Sequence, residues 1–169
     1  MIAALSGKQT QITGDLANRH THLQRSRHDA ILIGSETYLV DHPQLTTRIK
    51  GVQHEALRVV LDGQGRVKGE GFEVLTNDIV DTRDIAAVLA HLVDKGVTRL
   101  LVEGGAEIHK SFLVSGFVDE FQLCLSCDDL GAEGVKGVSK EDIQGLGGLK
   151  LQKTRVLGED KLEIYARAD

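Results

Sequence analysis

The residues best suited to chemistry in this chain are Glu103 and the glycine pair that follows it, Gly104 and Gly105. An apolar run, 100–102, leads into them, and Ala106 opens a helical pattern behind them. In α/β proteins this order brings the first turn of a helix against a phosphate, because its N–H groups lack partners and carry the positive dipole end. The pattern indicates a phosphorylated ligand or a nucleotide, with an ordinary strand-to-helix turn as the alternative.

Glu103 would lie at the carboxyl end of a strand, where ligands of open α/β sheets bind. It is therefore the candidate catalytic residue. Two common nucleotide fingerprints are absent from the sequence: no Gly-x-Gly-x-x-Gly opens a helix, and no Gly-x-x-x-x-Gly-Lys-Ser/Thr occurs. The glycine pair alone thus leaves the kind of nucleotide open.

The elements that would position these residues follow from the hydrophobic pattern. Thr13 is expected to cap a helix over 15–26 with Leu16 and Leu23 inward, and Asp81 or Thr82 to cap another that ends near Gly96. A short helical turn is predicted at 38–40, and the helix from Ala106 should stop at Gly116. Polar loops are predicted at 6–14 and 131–148. Apolar runs predict strands at 30–33, 57–61, 72–75, 100–102, 117–125, 149–157 and 161–166.

Strands alternate with helices first and then follow one another directly. This order predicts an α/β fold with a mixed, mostly parallel central sheet flanked by helices. The last two strands, joined through 158–160, read as an antiparallel hairpin. The chain of 169 residues fits one domain, 1–169. An edge in the 149–166 region would need to be paired, covered or charged, which favours a homodimer. The alternative is a monomer whose edge is protected by Lys150, Lys153, Lys161 and Glu163.

Composition excludes several classes of protein. No stretch of about 18 apolar residues could span a membrane, and the start of the chain lacks the basic n-region of a signal peptide. A net charge of −5 argues against nucleic-acid or anionic-membrane partners. Only two cysteines occur, so a reducing cytoplasm is the expected location.

Metal binding is not expected. Cys124 and Cys127 lie three apart, so within a strand they would face opposite sides and could not grip one metal ion. We expect two small core residues there. His20 and His22 lie two apart on a predicted helix and would diverge. No sequence context for a nucleophilic serine or cysteine occurs either.

Three ordered segments, 29–37, 41–48 and 101–112, together resemble the reductase domain of riboflavin biosynthesis. They read Asp-Ala-Ile-Leu-Ile-Gly-Ser-Glu-Thr, Asp-His-Pro-Gln-Leu-Thr-Thr-Arg and Leu-Val-Glu-Gly-Gly-Ala-Glu-Ile-His-Lys-Ser-Phe, with Arg-Val-Val-Leu-Asp-Gly at 58–63 between the last two. That domain is the C-terminal half of a bifunctional pyrimidine deaminase/reductase and has a fold like dihydrofolate reductase. The His-x-Glu and Pro-Cys-x-x-Cys signature of the zinc deaminase half is missing. The chain therefore looks like a free-standing reductase domain.

The resemblance implies NADPH-dependent reduction of 5-amino-6-(5-phosphoribosylamino)uracil to its ribitylamino product, with hydride passing to C1′ of the ring-opened sugar. By position it places four residues at the phosphorylated pyrimidine substrate: Arg25, Leu45, Arg48 and Glu103. It places ten at NADPH: Thr37, Asp41, Gly63, Gly105, Ala106, Glu107, Ile108, His109, Lys110 and Ser111. The family generally dimerises, in keeping with the strand-rich end of this chain.

The sequence departs from the family pattern at the segment before the first helix. Where the family has Ser-x-Trp-Ile-Thr-Gly, this chain has Gln9-Thr-Gln-Ile-Thr-Gly14, so glutamine replaces the tryptophan. The loop that precedes it is shortened. Where the family has Asp-Asp-Pro, this chain has Asp41-His-Pro43. The family also ends a later strand with a proline, and this chain has Ser-Cys-Asp there, at 126–128. Two other readings follow: a nucleotide-binding relative without catalytic activity, and a reductase of a related pterin or pyrimidine.

Overall fold

The computed structural model describes residues 2–5, 8–127 and 137–168, with side chains from residue 12 onwards. Its strands are β1 Ile2–Leu5, β2 Lys8–Gln11, β3 Ala30–Gly34, β4 Leu57–Leu61, β5 Glu73–Leu75, β6 Leu100–Gly104, β7 Glu120–Leu125, β8 Lys150–Leu157 and β9 Asp160–Ala166. Its helices are α1 Asp15–Arg25, α2 Ser35–Asp41, α3 Ile85–Asp94, α4 Ala106–Ser115 and α5 Lys140–Gly145.

A four-stranded parallel sheet in the order β5-β4-β3-β6 forms the centre of the fold. Its middle strand β3 is buried along its whole length. Ala30 and Leu32 face a core that includes residues of α3 and α4, whereas Ile31 and Ile33 face a second core on the other side. Burial on both faces explains why β3 reads as a continuous apolar run in the sequence.

The last three strands form an antiparallel sheet in the order β7-β9-β8, and β8 and β9 make the predicted hairpin. A positive φ of 70° at Gly158 permits the tight turn between them. With helices beside the parallel sheet and this hairpin at the end, the predicted fold class is confirmed. In the described ranges, no helix is both long and apolar enough to cross a membrane.

Helix ends were the weakest sequence predictions. Gly14, not Thr13, is the N-cap of α1, and Leu16 is 52% exposed instead of facing inward. In α3 the cap is Asp84, whose carboxylate accepts a hydrogen bond from the Ala87 N–H at 3.1 Å. Several polar residues compete for each cap position in the sequence, and the tertiary fold decides which one is used.

The predicted loops were wrong in two places. Lys8–Gln11 pairs with β1 as a strand. Within 131–148, α5 begins with Ser139 and Asp142 hydrogen-bonded to each other's backbone N–H, and it is anchored by the fully buried Ile143. The rest of that loop, through residue 136, lies outside the described residues. Cys127 is exposed, so the expectation of two core cysteines holds at most for the half-buried Cys124.

A buried carboxylate joins α5 to the antiparallel sheet. The side chain of Glu163 is 2% exposed and accepts hydrogen bonds from Lys140 at 2.9 Å and from the Tyr165 hydroxyl at 2.7 Å. Lys161 lies 2.6 Å from the same carboxylate. Hydrogen bonds from these donors lower the pKa of Glu163 to about 2, and the bond from Lys140 has the largest effect. The charge is therefore buried but well paired.

Replacing Glu163 with Gln should destabilise the fold at neutral pH. The change leaves two lysines facing a neutral group, and bonds to charged groups contribute about 1.5–3 kcal/mol each. Both lysines are about half exposed, so solvent screening should keep the loss of unfolding free energy near 1–2 kcal/mol. Urea unfolding at pH 7 measures it, and no change would mean that Glu163 adds nothing to stability.

The same substitution should make the unfolding free energy depend less steeply on pH in the acid range. The folded pKa of Glu163 is lowered below the 4.5 of an ordinary glutamate, so its contribution is complete above pH 4.5 and is lost as the pH falls towards 2. Wild-type unfolding free energy should thus fall more steeply over this window than that of the Glu163→Gln protein. Parallel slopes would contradict this account.

Candidate functional site

The predicted cofactor residues lie along one edge of the parallel sheet. Strands β3, β4 and β6 run in the same direction, and Gly34 pairs with Leu61 at their ends while Ile33 pairs with Gly104. Neighbouring strands are about 4.8 Å apart. The segments that carry Thr37, Gly63 and Gly105 therefore leave the sheet side by side, at the edge where α/β proteins bind ligands.

Glu103 owes its position to an irregularity in β6. Leu32 and Ile33 of β3 pair with Val102 and Gly104, so the register shift leaves Glu103 as the extra residue of a bulge. Bulges of this kind redirect a side chain and are frequent beside active sites. The Glu103 carboxylate accepts hydrogen bonds from Nε and Nη2 of Arg25, each at 2.6 Å. The two side chains are only 14% and 16% exposed.

Arg25 also reaches a third element. Its Nη1 donates to the Thr46 carbonyl oxygen at 3.1 Å, in the loop that follows α2. Each of the three guanidinium nitrogens of Arg25 thus has an acceptor within the protein. Arg25 thus links α1, β6 and this loop, with three of its five N–H groups donating to Glu103 and Thr46.

Leu45 and Arg48 lie in the same loop but differ in exposure. The Leu45 side chain is 4% exposed and packs in the core with Ile31 and Ile33, and its φ of +50° is unusual for a residue other than glycine. Arg48 is exposed, and its Nη2 donates to Gln44 Oε1 at 2.6 Å. Within the described parts of the chain it forms no ion pair, so Arg48 carries the more available charge.

His22 belongs to this cluster, although the sequence analysis weighed it only as a metal ligand. Its Nδ1 lies 3.1 Å from the Thr46 carbonyl oxygen and 3.3 Å from the Arg48 backbone nitrogen. Burial, followed by the nearby Arg25 guanidinium, lowers the pKa of His22. The available signal was its spacing: positions 22 and 25 are three apart on α1 and therefore share a helix face.

The glycine pair leads into α4 with little side-chain bulk. A Cβ on Gly105 would lie 3.1 Å from Thr37 Oγ1, and one on Gly104 would lie 3.5 Å from it. Gly105 is the N-cap of α4, and no side chain caps the first turn. The Thr37 hydroxyl therefore lies close to the turn that opens α4, and neither glycine places a Cβ between them. This arrangement fits a pyrophosphate.

The rest of the 105–111 stretch offers few side chains to a ligand. Ile108 packs over Gly34 and against the core, and the Ser111 hydroxyl donates to the Glu107 carbonyl oxygen at 2.9 Å. His109 Nε2 is 3.2 Å from the Val102 carbonyl oxygen, and burial lowers the pKa of this histidine. Lys110 lines an open groove on the outer side of α4. Backbone amides at Gly105 and Ala106 remain the strongest candidates for cofactor contact.

Gly63 follows the end of β4 by two residues, and Asp41 ends α2. Asp41 is the half-buried last residue of α2. A Cβ on Gly63 would come within 2.6 Å of Thr82 Oγ1, and the Gly63 carbonyl oxygen accepts from Asn77 Nδ2 at 2.9 Å. Packing therefore accounts for glycine at position 63. Cofactor contact at Gly63 and Asp41 stays a prediction.

Residues 1–162 match the RibD C-terminal domain family, and the chain belongs to that family. RibD of Corynebacterium ammoniagenes is 35% identical over 127 residues, covering 72% of this chain and 37% of that protein. A 2,5-diamino-6-ribosylamino-4(3H)-pyrimidinone 5′-phosphate reductase of Methanothermobacter thermautotrophicus is 28% identical over 198 aligned positions, covering 97% of this chain and 91% of that protein. The resemblance seen in the sequence is thereby confirmed, and the chain spans little more than a third of the first relative.

Solved structures agree on the fold. RibD of Acinetobacter baumannii superposes with a TM-score of 0.74 at 20% identity, covering 96% of this chain and 53% of that one. Dihydrofolate reductase from Enterococcus faecalis complexed with NADP(H) superposes with a TM-score of 0.59 at 14% identity, covering 96% and 87% of the two chains. The predicted likeness to dihydrofolate reductase is confirmed for the fold.

A side chain at Gly105 should obstruct cofactor binding. Gly105→Val would place methyl groups beside Thr37, in the space that the first turn of α4 shares with that hydroxyl. We expect NADPH affinity, followed by fluorescence titration, to fall at least tenfold, or about 1.4 kcal/mol. Gly145→Val is the matched control, because a Cβ there meets nothing within 4 Å. Unchanged affinity in a folded Gly105→Val protein would remove the cofactor from this turn.

Proposed function

We propose that this protein is a riboflavin-pathway reductase that converts 5-amino-6-(5-phosphoribosylamino)uracil to its ribitylamino product with NADPH. The observation that carries the proposal is the paired Arg25 and Glu103 beside the exposed Arg48, at the edge of the sheet where the glycine pair opens α4. Membership in the RibD C-terminal domain family supports the reductase activity. We assign the reaction to residues 1–169 acting as one domain in the cytoplasm.

The cofactor side of the proposal rests on the space between Thr37 and the first turn of α4. Backbone amides at Gly105 and Ala106 would hold the pyrophosphate, and the Thr37 hydroxyl would donate to it or accept from the neighbouring ribose. Asp41 and Gly63 would flank the remainder of the dinucleotide. When bound, the reduced nicotinamide supplies hydride to the substrate, at C1′ of the ring-opened sugar.

The substrate side divides between two charged groups. Glu103 keeps oxygen lone pairs beyond those that accept from Arg25, and these would accept from N–H or amino donors of the pyrimidine. Arg25 fixes the orientation of that carboxylate through its two parallel hydrogen bonds. Arg48 would bind the sugar phosphate, with the backbone of Leu45 forming the adjacent wall. Alignment of pyrimidine and phosphate is the main contribution that these side chains can make to the rate.

A second substrate has a specific observation in its favour. The relative from Methanothermobacter thermautotrophicus, matched over 97% of this chain, is named for the 2,5-diamino-6-ribosylamino-4(3H)-pyrimidinone 5′-phosphate. That compound has an amino group where the uracil has an oxygen, so it offers one more donor to the Glu103 carboxylate. Both compounds share the phosphate that Arg48 would bind.

The deciding experiment measures NADPH oxidation with each pyrimidine, beside an NADPH-binding titration. Faster turnover of the uracil supports the proposal, whereas faster turnover of the diaminopyrimidinone transfers it to the second substrate. Binding of NADPH without turnover of either would support a nucleotide-binding relative that has lost activity, which glutamine at position 11 in place of the family's tryptophan would explain. If the protein neither binds NADPH nor reduces either pyrimidine, the enzyme assignment is overturned.

Arg48→Ala should raise the KM for substrate by about ten- to a hundredfold, because a hydrogen bond to a charged phosphate contributes about 1.5–3 kcal/mol. NADPH affinity and thermal stability should hardly change, since Arg48 is exposed and, in the part of the chain that the structure describes, bonds only to Gln44, Thr46 and His22. Arg27→Ala, at another exposed arginine, is the matched control. A loss of NADPH affinity with an unchanged KM would reverse the positions of the two ligands.

We also propose that the protein forms a homodimer through β8. This strand is at the edge of its sheet, is exposed along nearly its whole length and presents Leu151 and Val156, which are 47% and 76% exposed. Lys150, Lys153 and Arg155 are the charges available to protect it if the protein is a monomer. Glu163, which we expected among these protecting residues, is buried on β9 instead.

Val156→Asp should convert this dimer to a monomer, because a carboxylate would be buried without a partner at the interface. Light scattering should give twice 18.3 kDa for the wild type and 18.3 kDa for the variant. Val93→Asp is the control, since that valine is 64% exposed on α3, away from β8. A wild-type mass of 18.3 kDa at high micromolar concentration would show that the edge is simply protected by its charges.

A further inference from the structure

His22 meets the arginine loop at two backbone atoms. Its Nδ1 is 3.1 Å from the carbonyl oxygen of Thr46 and 3.3 Å from the backbone nitrogen of Arg48. The carbonyl oxygen requires a proton on Nδ1, whereas the Arg48 N–H requires a lone pair there. In either tautomer, Nδ1 of His22 on α1 therefore forms a hydrogen bond with the turn that carries Arg48.

This turn needs to be held. Leu45 is kept at a φ of +50° with its side chain in the core, a conformation that persists only where the surroundings enforce it. The Thr46 carbonyl oxygen receives Arg25 Nη1 from one direction and His22 from another. Among the residues that the structure describes, the Arg48 side chain bonds only to the uncharged side chains of Gln44 and Thr46. Its direction is therefore set by the backbone of the turn rather than by an ion pair.

We propose that His22 is a positioning residue for phosphate recognition, which holds the 46–48 turn so that Arg48 faces the phosphate of the substrate. This inference rests on the proposed function, in which the substrate is a sugar phosphate. His22 acts through Arg48 and need not touch the ligand. It couples α1, which also carries Arg25, to the phosphate side of the site.

The charges around His22 agree with a neutral positioning role. Arg25 of its own helix and Arg48 of the loop face it with positive charge, and Glu103 of β6 faces it with negative charge. Burial has the largest effect, and with the two arginines it lowers the pKa of His22. At neutral pH the imidazole is uncharged and can hold the turn without adding a third cation beside Arg48.

The test compares the phosphorylated substrate with its dephosphorylated ribosylamino counterpart. For His22→Ala we expect about a tenfold rise in KM for the phosphorylated compound, no change in KM for the dephosphorylated one and little change in kcat. His22→Asn should restore most of the affinity, because its side-chain amide can still donate to the Thr46 carbonyl oxygen. His20→Gln is the control, since His20 lies on the same helix but bonds to Gln122.

A double-variant cycle separates positioning from general stabilisation. In an Arg48→Ala background, His22→Ala should cause almost no further rise in KM, because the group that it positions is gone. The proposal would be overturned if the two substitutions raised KM additively, or if His22→Ala raised KM equally for the phosphorylated and the dephosphorylated compound. A fall in thermal stability of His22→Ala, together with an equal rise in KM for both compounds, would assign His22 a merely structural role.

Calorimetric binding of ribose 5-phosphate, with ribose as its reference, provides an arm that does not depend on turnover. The wild type should bind the phosphate compound more tightly than ribose, and His22→Ala should reduce this preference about tenfold while His22→Asn retains it. If no pyrimidine is reduced but this pattern holds, the proposed reaction fails and the role of His22 stands. If turnover is normal and the preference is the same in His22→Ala, the role of His22 fails alone.

Discussion

The ion pair between Arg25 and Glu103 is the interaction on which the geometry of the site depends. It joins residues 78 positions apart, so the helix α1 and the end of β6 keep a fixed relation only while both partners are present. The side chains are largely buried, and removing one partner would leave the other charge in a poorly hydrated place. Such losses typically cost about 3–5 kcal/mol, far more than an exposed pair would.

This constraint assigns different work to the two arginines. Arg25 pairs its charge with Glu103 and donates to Thr46, so it acts as a fixed part of the protein. Within the described residues, the Arg48 side chain bonds only to the neutral side chains of Gln44 and Thr46, which keeps its charge available for an anion. The sequence resemblance placed both arginines at the substrate without distinguishing them. The distinction follows from hydrogen-bond partners that only the folded chain brings together.

The sequence was sufficient to predict the central sheet, because a local apolar run marks each of β3, β4 and β6. It also predicted the end of α4 at Gly116. It was insufficient where long-range packing decides. The bulge at Glu103 arises from pairing with β3, and α5 depends on burying Ile143 against another part of the fold. His22 escaped notice because its partners lie in a loop more than twenty residues away.

The overall charge of the protein makes local recognition necessary. With a net charge of −5, the molecule as a whole repels a dianionic phosphate and a dinucleotide at long range. At physiological ionic strength that repulsion is screened beyond about 8 Å, so binding depends on groups within contact distance. In the proposed function, the amides at the start of α4 and the Arg48 guanidinium would be such groups, and neither requires a basic surface. Under the proposed function, this acidic protein would bind two phosphorylated ligands at one edge of its sheet, with the Glu103 charge paired to Arg25 rather than facing the phosphates alone.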